Sequence, residues 1–186
     1  MRTKNKKSDH CVTNTFSISR LCENDDTSTF FCTDNDLNDF LHNSALQDIQ
    51  RGYSVTHLVK MGNTIVGFFT LIADSIQNER VDAAEFPDYC YGKLPAMKIA
   101  RLATHKEFER QGIGEFMVNE AFRRAYSLTQ HVGCCVITVD AKVDAVGFYE
   151  KYAFFRTKTK SNQDTVIMYL NLIQFIKNTY TFNNNI

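Results

Sequence analysis

The chain has 186 residues, 44 % of them hydrophobic, and its formal net charge is zero. This length and composition suit one globular domain with a sizeable core and leave little room for a second domain. No apolar run approaches the roughly 20 residues of a membrane span, and the basic N-terminus has no apolar stretch behind it. We therefore expect a cytoplasmic protein without a membrane partner.

The charge is unevenly distributed along the chain. Residues 1–92 carry 8 basic and 13 acidic side chains, whereas residues 93–186 carry 13 and 8. A basic second half fits an anionic ligand held there, although ordinary surface scatter produces the same asymmetry.

The six cysteines include no C-x-x-C pair, and the five histidines show no HxxxH or HExxH spacing. These patterns predict reduced, structural thiols and no metal site.

The first half of the chain predicts an arm, a strand, a helix and a hairpin. Residues 1–14 are polar and basic, which is typical of a disordered arm. The alternating stretch "FSISRL" predicts a strand over 16–21. Apolar residues from Leu37 to Ile49 recur at helical spacing, with Asp34 or Asp36 as the cap and Gly52 as the stop. Two β-rich runs on either side of "MGN" then predict a hairpin.

The second half predicts an alternation of strands and helices. We expect a loop over 76–94, and then, in chain order, a strand over 96–104, a helix from the glycine pair to about Ser127, a buried strand "CCVITVDA", a short helix over 144–152 and two strands, "AFFRTK" and "TVIMYLNL". The domain should cover 15–175 and be followed by a C-terminal tail, 176–186, whose end "TYTFNNNI" should be frayed. This order is typical of a mixed α/β fold.

Two glycines, Gly112 and Gly114, stand at the start of the predicted helix "ERQGIGEFMVNEAFRRAY". A helix start normally has Ser, Thr, Asp or Asn, so bare backbone must serve another purpose there. Unpaired first-turn amides and the helix dipole together bind anions, and a strand, a short loop and a helix form a diphosphate cradle. Arg110 and Gln111 would reinforce it.

Three ligand classes use such a cradle. A P-loop requires Lys-Ser or Lys-Thr after its second glycine, and neither follows here. A dinucleotide fingerprint requires a third glycine, where this chain has Met117, and an acidic residue about 20 positions further on, where it has none. The third is the coenzyme A loop of the GNAT family of N-acetyltransferases, with the pattern [Q/R]-x-x-G-x-[G/A].

Three segments together resemble the GNAT family. "KIARLATHKEFERQGIGEFMV" is similar to its cofactor-binding strand, loop and helix, and "VDAKVDAVGFYEKYAFF" to its A-x-x-F-Y-x-K-x-G-F signature. The front segment resembles a subgroup that includes toxin-type acetyltransferases of aminoacyl-tRNA and relatives of unassigned substrate. The resemblance covers about residues 16–172. It implies a single domain whose mixed, mostly antiparallel sheet is splayed in the middle and flanked by helices.

The chain departs from the family pattern at three positions. Glu109 replaces Gln or Arg at the start of the loop motif, and a carboxylate there would repel phosphates. We expect Glu109 to point away, and Arg110 with the loop amides to hold the cofactor. Thr33 and Ala153 stand where the family usually has glycine.

The resemblance implies acetyl-CoA as the cofactor and assigns a site to it. Tyr149 would be the general acid, since a phenol stays protonated at neutral pH and can protonate a thiolate. Backbone contacts would come from the strand, with an amide near Leu102 polarising the thioester carbonyl. The cofactor-binding set is Leu102, Ala103, Thr104, Arg110, Gln111, Gly112, Ile113, Gly114, Glu115 and Phe148. Glu107, Glu109, Asp140, Asp144 and His105 are candidate bases, although water suffices.

Four functions remain open. The first is an acetyltransferase that acts on a primary amine by direct attack in a ternary complex. The second is a toxin that acetylates aminoacyl-tRNA and has an antitoxin partner. The basic residues that would then contact RNA phosphates are Arg123, Arg124, Arg156, Lys158 and Lys160. A pI near 6.9 disfavours RNA binding. The third is a non-catalytic acyl-CoA-binding domain, and the fourth a nucleotide-binding module. The aromatic content leaves room for a homodimer surface.

Overall fold

The computed structural model describes residues 15–158 and 164–183, so the predicted arm and Lys160 lie outside the described residues. One mixed sheet contains β1 (Phe16–Arg20), β2 (Val55–Met61), β3 (Thr64–Gln77), β4 (Lys93–Thr104), β5 (Val136–Lys142), β6 (Phe155–Arg156) and β7 (Thr165–Asn171). The helices are α1 (Asn35–Asp39), α2 (Ala45–Gln50), α3 (Ile113–Leu128), α4 (Val146–Glu150) and α5 (Leu172–Asn183), and a π-helical turn (Phe40–Ser44) joins α1 to α2.

The front helix forms where the apolar spacing predicts it. The Asp34 side chain accepts a hydrogen bond from the Asp36 amide, which caps α1 at its N-terminus. The helix continues through the π turn into α2 and buries Phe40, Leu41 and Ala45 against the sheet. The loop over 76–94 is shorter than predicted, because β3 and β4 extend into it from both ends.

The C-terminal segment differs from the prediction. Helix α5 includes residues 179–183, the described part of the segment "TYTFNNNI" that was predicted to be frayed. The first turns of α5 pack on the domain core, where the Phe175 and Phe122 ring centroids lie 4.9 Å apart. The polar asparagines of this segment gave no sign of a helix in the sequence, because the stability of the helix comes from tertiary packing.

The sheet order is β1-β2-β3-β4-β5-β7-β6, and every neighbouring pair is antiparallel except β4 and β5. This arrangement confirms the predicted mixed, mostly antiparallel sheet. Helix α3 covers one face of the sheet, and α1 and α2 cover the other, so two separate cores form on the two faces.

The sheet is splayed between β4 and β5. Their parallel pairing covers only Ala96–Ile99 opposite Val136–Val139. On its other edge β4 stays paired with β3 as far as Thr104, with a bulge at Ala100, where Ile99 and Arg101 lie opposite the consecutive residues Leu71 and Thr70. The two central strands therefore part beyond Ile99 while each keeps its outer neighbour.

Arg124 of α3, one of the basic residues considered for RNA binding, is partly buried and makes two contacts within the protein. Its Nε donates to His57 Nε2 of β2 at 3.2 Å, and its Nη1 donates to Glu120 at 2.6 Å. Burial, followed by the charges of Arg124 and Arg20, lowers the pKa of His57 to about 4, against the opposing charge of Glu120. His57 is therefore neutral at pH 7, and its Nε2 is available as an acceptor. This polar contact links α3 to β2.

Close approach of α3 to β3 depends on Gly67. A Cβ built on Gly67 would lie 2.9 Å from Ile113 Cγ2, 3.1 Å from Met117 Sδ and 3.2 Å from the Ala103 carbonyl oxygen. These contacts are shorter than packed atoms tolerate, and the carbonyl cannot rotate away. Glycine at this position therefore lets α3, with the glycine loop at its start, lie directly on the sheet.

We predict that Gly67→Ala lowers the free energy of unfolding by about 1–3 kcal/mol, the usual cost of overpacking a core. Urea denaturation measures this change. Gly92→Ala is the matched control, because a Cβ there meets nothing within 4 Å. Equal stability of the two variants would show that the helix tolerates displacement from β3.

Candidate active site

The splay between β4 and β5 opens a cleft of about 750 Å³. Its walls come from the diverging halves of the two strands, and its ends are formed by the glycine loop and by the segment before α1. The lining residues are Cys32, Thr33, Asp34, Leu37, Ile99–Thr104, Glu109, Arg110, Gly114, Val139–Lys142, Asp144, Ala145, Phe148 and Tyr149. Because β4 and β5 do not pair beyond Ile99, the β4 backbone edge from Ala100 to Thr104 faces this cleft without a partner strand among the described residues.

The glycine loop presents a row of free amides. Arg110 and Gly112 adopt left-handed backbone conformations, with φ of 60° and 82°, and Gly112 is the N-cap of α3. The first helical bond runs from the Phe116 amide to the Gly112 carbonyl at 3.0 Å. Within the described chain, the amides of residues 109–115 donate to no backbone or side-chain acceptor. Such a row of free amides at a helix N-terminus is an anion site.

The two glycines have different physical roles. Gly112 supplies the positive φ that turns the chain into α3. Gly114 lies under the Phe148 ring of α4, and a Cβ there would come within 3.2 Å of two ring carbons. The second glycine therefore lets Phe148 pack over the first turn of α3 and form a wall of the cleft.

Tyr149 lies beside Phe148 on the floor of the cleft. Its side chain is 6 % exposed, and its ring packs against Phe148 and Phe154 with centroid distances of 5.1 and 5.4 Å. Burial raises the pKa of the Tyr149 phenol well above its usual value. The hydroxyl is therefore protonated at every pH at which the protein would work.

Two of the four described acidic side chains that line the cleft form ion pairs. Lys142 of β5 forms an ion pair with Asp34, which ties the segment before α1 to the far wall. The hydrogen bond from Lys142 lowers the pKa of Asp34, and the same bond raises the pKa of Lys142. Lys98 holds Asp140 at 2.5 Å. Glu109 lines the cleft, which contradicts the expectation that it points away from the site.

Only some of the five candidate bases line the cleft. Asp144 and Glu109 line the cleft, Asp140 lines it but is held by Lys98, and Glu107 lies outside it. The fifth candidate, His105, is buried: its Nδ1 accepts from the Glu107 amide at 3.2 Å, and its Nε2 lies 3.3 Å from the Thr29 carbonyl. This imidazole caps a 3₁₀ turn, Lys106–Phe108, and does not reach the cleft.

Seven of the predicted site residues line the cleft together: Leu102, Ala103, Thr104, Arg110, Gly114, Phe148 and Tyr149. Ile113 is buried in the core, so that it can offer only its amide, and the Gln111 side chain donates to the Glu107 carbonyl at 3.4 Å. Gly112 and Glu115 belong to the loop and the first turn of α3 without lining the cavity. Their roles in cofactor binding stay predictions.

Sequence reasoning missed the other half of the cleft. It assigned no role to Cys32, Asp34 or Leu37, although Asp34 was a predicted helix cap, and none to Arg101 or Lys142. The ion pair between Asp34 and Lys142 joins residues 108 positions apart. No local pattern signals a contact at that separation.

The cleft fits coenzyme A on two independent observations. The unpaired amides at the start of α3, beside Arg110, suit the negative charges of a diphosphate. The unpaired β4 edge from Ala100 to Thr104 offers donors and acceptors to the amide groups of a pantetheine arm. When bound, acetyl-CoA supplies an activated thioester.

The profile of the "Acetyltransferase (GNAT) domain" family matches residues 32–170, which is well over half of the chain. The chain belongs to the GNAT family. It is therefore an N-acetyltransferase with acetyl-CoA as its cofactor.

Relatives of this GNAT domain include toxins. The tRNA-acetylating toxin of Mycobacterium tuberculosis (strain ATCC 25618 / H37Rv) is 25 % identical over 139 residues, which are 73 % of this chain and 81 % of that protein. AtaT complexed with acetyl-methionyl-tRNAfMet superposes with a TM-score of 0.80 at 19 % identity, covering 89 % of this chain and 99 % of that one. A mutant AtaT toxin bound to the C-terminus of the antitoxin AtaR and to acetyl-CoA superposes with a TM-score of 0.71 at 18 % identity, covering 88 % of this chain and 98 % of that one.

In the part of the chain that the structure describes, no helix combines the length and the apolar composition needed to cross a membrane.

We predict that Gly112→Ala weakens acetyl-CoA binding roughly tenfold in Kd, because alanine disfavours the left-handed backbone that aims the loop amides. Isothermal titration calorimetry measures the affinity. Gly62→Ala is the matched control: Gly62 also has a positive φ, of 60°, with open space around its Cβ, but lies in the β2–β3 turn. Both variants should lose about 1 kcal/mol of stability, and only Gly112→Ala should lose affinity. Equal affinities would show that the loop amides do not hold the diphosphate.

Proposed function

We propose that this GNAT domain transfers the acetyl group directly to a primary amine, with both substrates bound in the cleft and Tyr149 as the general acid. The single observation that supports it is the buried Tyr149 phenol lining the same cleft as the unpaired β4 edge and the glycine loop. In this proposal the loop amides and Arg110 hold the diphosphate, and an amide of β4 near Leu102 polarises the thioester carbonyl.

Tyr149 donates its hydroxyl proton to the sulfur as the carbon–sulfur bond breaks. Burial raises the pKa of this phenol, which by itself makes it a weaker acid. The same dehydrated surroundings disfavour a thiolate formed beside it, so the pKa values of donor and acceptor shift in the same direction. A protonated phenol is therefore present when the sulfur needs a proton.

The cysteine of the cleft favours direct transfer over an acetyl-enzyme. Among the described residues that line the cavity, Cys32 is the one thiol. Burial raises its pKa, and the charges of Asp34 and Glu109 raise it further, against a hydrogen bond to the Asp34 carbonyl. A thiol with a raised pKa is a poor nucleophile at neutral pH. The amine therefore attacks the thioester directly, and no acetyl-cysteine intermediate forms.

The amine must lose protons during the reaction, and Glu109 and Asp144 are the cleft carboxylates without an ion-pair partner among the described residues. Either one can accept a proton directly or through water. Glu109 lies beside the glycine loop, whereas Asp144 follows β5 near Lys142.

We predict that Tyr149→Phe lowers kcat by roughly 100-fold or more, the usual contribution of a positioned general acid. Thiol release from acetyl-CoA with a saturating amine measures the rate. Tyr152→Phe is the matched control, since its ring also packs on Phe148, at 5.1 Å, but does not line the cleft. Undiminished thiol release by Tyr149→Phe would remove Tyr149 from the mechanism.

As a second proposal, the acceptor is the α-amine of an aminoacyl-tRNA, and an antitoxin restrains the enzyme. The observation that favours it is the similarity to a tRNA-acetylating toxin over 73 % of this chain. The basic residues first considered for RNA binding do not favour it. Arg123 and Arg124 pair with Glu120, Arg156 pairs with Glu150, and Lys158 lies 3.6 Å from Asp82.

We predict that radiolabelled acetyl groups move from acetyl-CoA to total aminoacyl-tRNA and not to deacylated tRNA. The label should precipitate with the RNA and be released by mild base, which cleaves the ester bond to the ribose. Polyamines and lysine peptides serve as competing acceptors. Labelling confined to these small amines or peptides would leave the acetyltransferase intact and reject the toxin proposal, whereas binding without turnover on any amine would favour the non-catalytic alternative.

A further inference from the structure

The cleft is lined by a cation, Arg101, to which the proposed reaction assigns no role. Arg101 of β4 lines the cleft on the face covered by α1 and α2, whereas Arg110 lies at the glycine loop on the other face. The bulge at Ala100 shifts the strand by one residue before Arg101. Leu102 packs against the α3-side core and Ala103 against the α1–α2 core, so Arg101 shares the face of Ala103.

Phe40 fixes the position of the Arg101 guanidinium. The guanidinium carbon lies 3.6 Å from the centroid of the Phe40 ring, and Phe40 is 5 % exposed. Phe40 begins the π-helical turn between α1 and α2, a distortion found frequently at functional sites. A guanidinium that contacts a ring through its face keeps its N–H groups in the plane of the group and available to another partner.

Arg101 has no acidic partner in the described part of the chain. No described carboxylate forms an ion pair with it, and no described acceptor takes a hydrogen bond from it. Burial lowers its pKa, and the more distant charge of Asp48 only partly opposes this. The three cations of the cleft therefore differ: Lys142 is paired with Asp34, Arg110 faces the cofactor loop, and Arg101 is half-buried and unpaired.

Burying a guanidinium without an ion-pair partner costs free energy, unless a bound anion supplies that partner. Its planar set of donors matches a phosphate or a carboxylate in a bidentate contact. An amino acid esterified to RNA has no free carboxylate. In such an acceptor, the anion nearest to the amine is the phosphodiester next to the terminal adenosine.

We propose that Arg101, held in place by Phe40, binds the phosphodiester beside the terminal adenosine of the acceptor and so makes the enzyme specific for aminoacyl esters of RNA. This inference rests on the proposed aminoacyl-tRNA function and adds to it a specificity-determining residue. Arg101 touches the acceptor and takes no part in proton transfer.

The experiment compares two acceptors with the same amine. One is an aminoacyl-CpA dinucleotide, which keeps the phosphate, and the other is the aminoacyl-adenosine, which lacks it. We expect the wild-type chain to favour the dinucleotide at least roughly tenfold in kcat/KM, as suits a charged bidentate contact. Arg101→Met should reduce this ratio to about one through a higher KM for the dinucleotide, and Arg101→Lys should restore part of it.

Two further variants separate this role from general effects of charge. Arg156→Met removes an exposed cation paired with Glu150 outside the cleft and should keep the wild-type ratio. Arg110→Met should raise the KM for acetyl-CoA without changing the preference between acceptors. The change in melting temperature on adding coenzyme A shows that each variant is folded and binds the cofactor.

The outcomes test the aminoacyl-tRNA function and the role of Arg101 separately. Equal use of both nucleotides by the wild-type chain would keep aminoacyl acceptors and overturn the role of Arg101. A wild-type preference for free amino acids that Arg101→Met abolishes would assign Arg101 to a carboxylate and overturn the phosphate. If neither nucleotide is acetylated, the labelling of aminoacyl-tRNA decides the aminoacyl-tRNA function, and direct binding of CpA decides the inference: equal affinity for the wild-type chain and Arg101→Met overturns it.

Discussion

Parallel pairing between β4 and β5 stops after four residue pairs, and the whole site follows from that break. Beyond Ile99, β4 keeps its bonds to β3 and β5 keeps its bonds to β7, so each strand is satisfied on its outer edge only. Unpaired backbone within a sheet is normally costly. Here it borders a cleft large enough for a ligand, and the family assignment explains why the protein retains it, since the pantetheine arm of acetyl-CoA can bond to this edge as a strand would.

The glycine loop at one end of the cleft also leaves backbone groups without partners in the described chain. Left-handed backbone at Arg110 and Gly112 keeps the loop amides out of internal hydrogen bonds. Gly67 and Gly114 remove side-chain bulk where α3 approaches β3 and where Phe148 covers the loop. Ala153, which stands where the family usually has glycine, also has a positive φ, of 61°. Glycine adopts this left-handed conformation freely, whereas alanine is strained in it.

Much of the fold was predictable from local patterns. Alternation predicted β1 and the β2–β3 hairpin, helical spacing predicted the front helix and α3, and the apolar run predicted β5 as a buried strand. Half of the site was predictable as well, because the glycine loop, the β4 segment and Tyr149 lie within two contiguous motifs. The errors concern long-range contacts. Helix α5 depends on packing of Phe175 against Phe122, Arg124 is drawn inward by His57, and His105 is buried beneath Phe30 and Phe108.

The sequence by itself determined the family and the cofactor and singled out the glycine loop as a candidate anion site, because those properties depend on residues close together in the chain, whose spacing sets backbone conformation directly. Only the tertiary structure decided which charges are paired and which are free. Asp34 meets Lys142 across the cleft, Lys98 meets Asp140, and Arg101 meets only the Phe40 ring. Electrostatic pairing depends on distances in space, and separate parts of the chain come within those distances only when the sheet and its two layers of helices assemble.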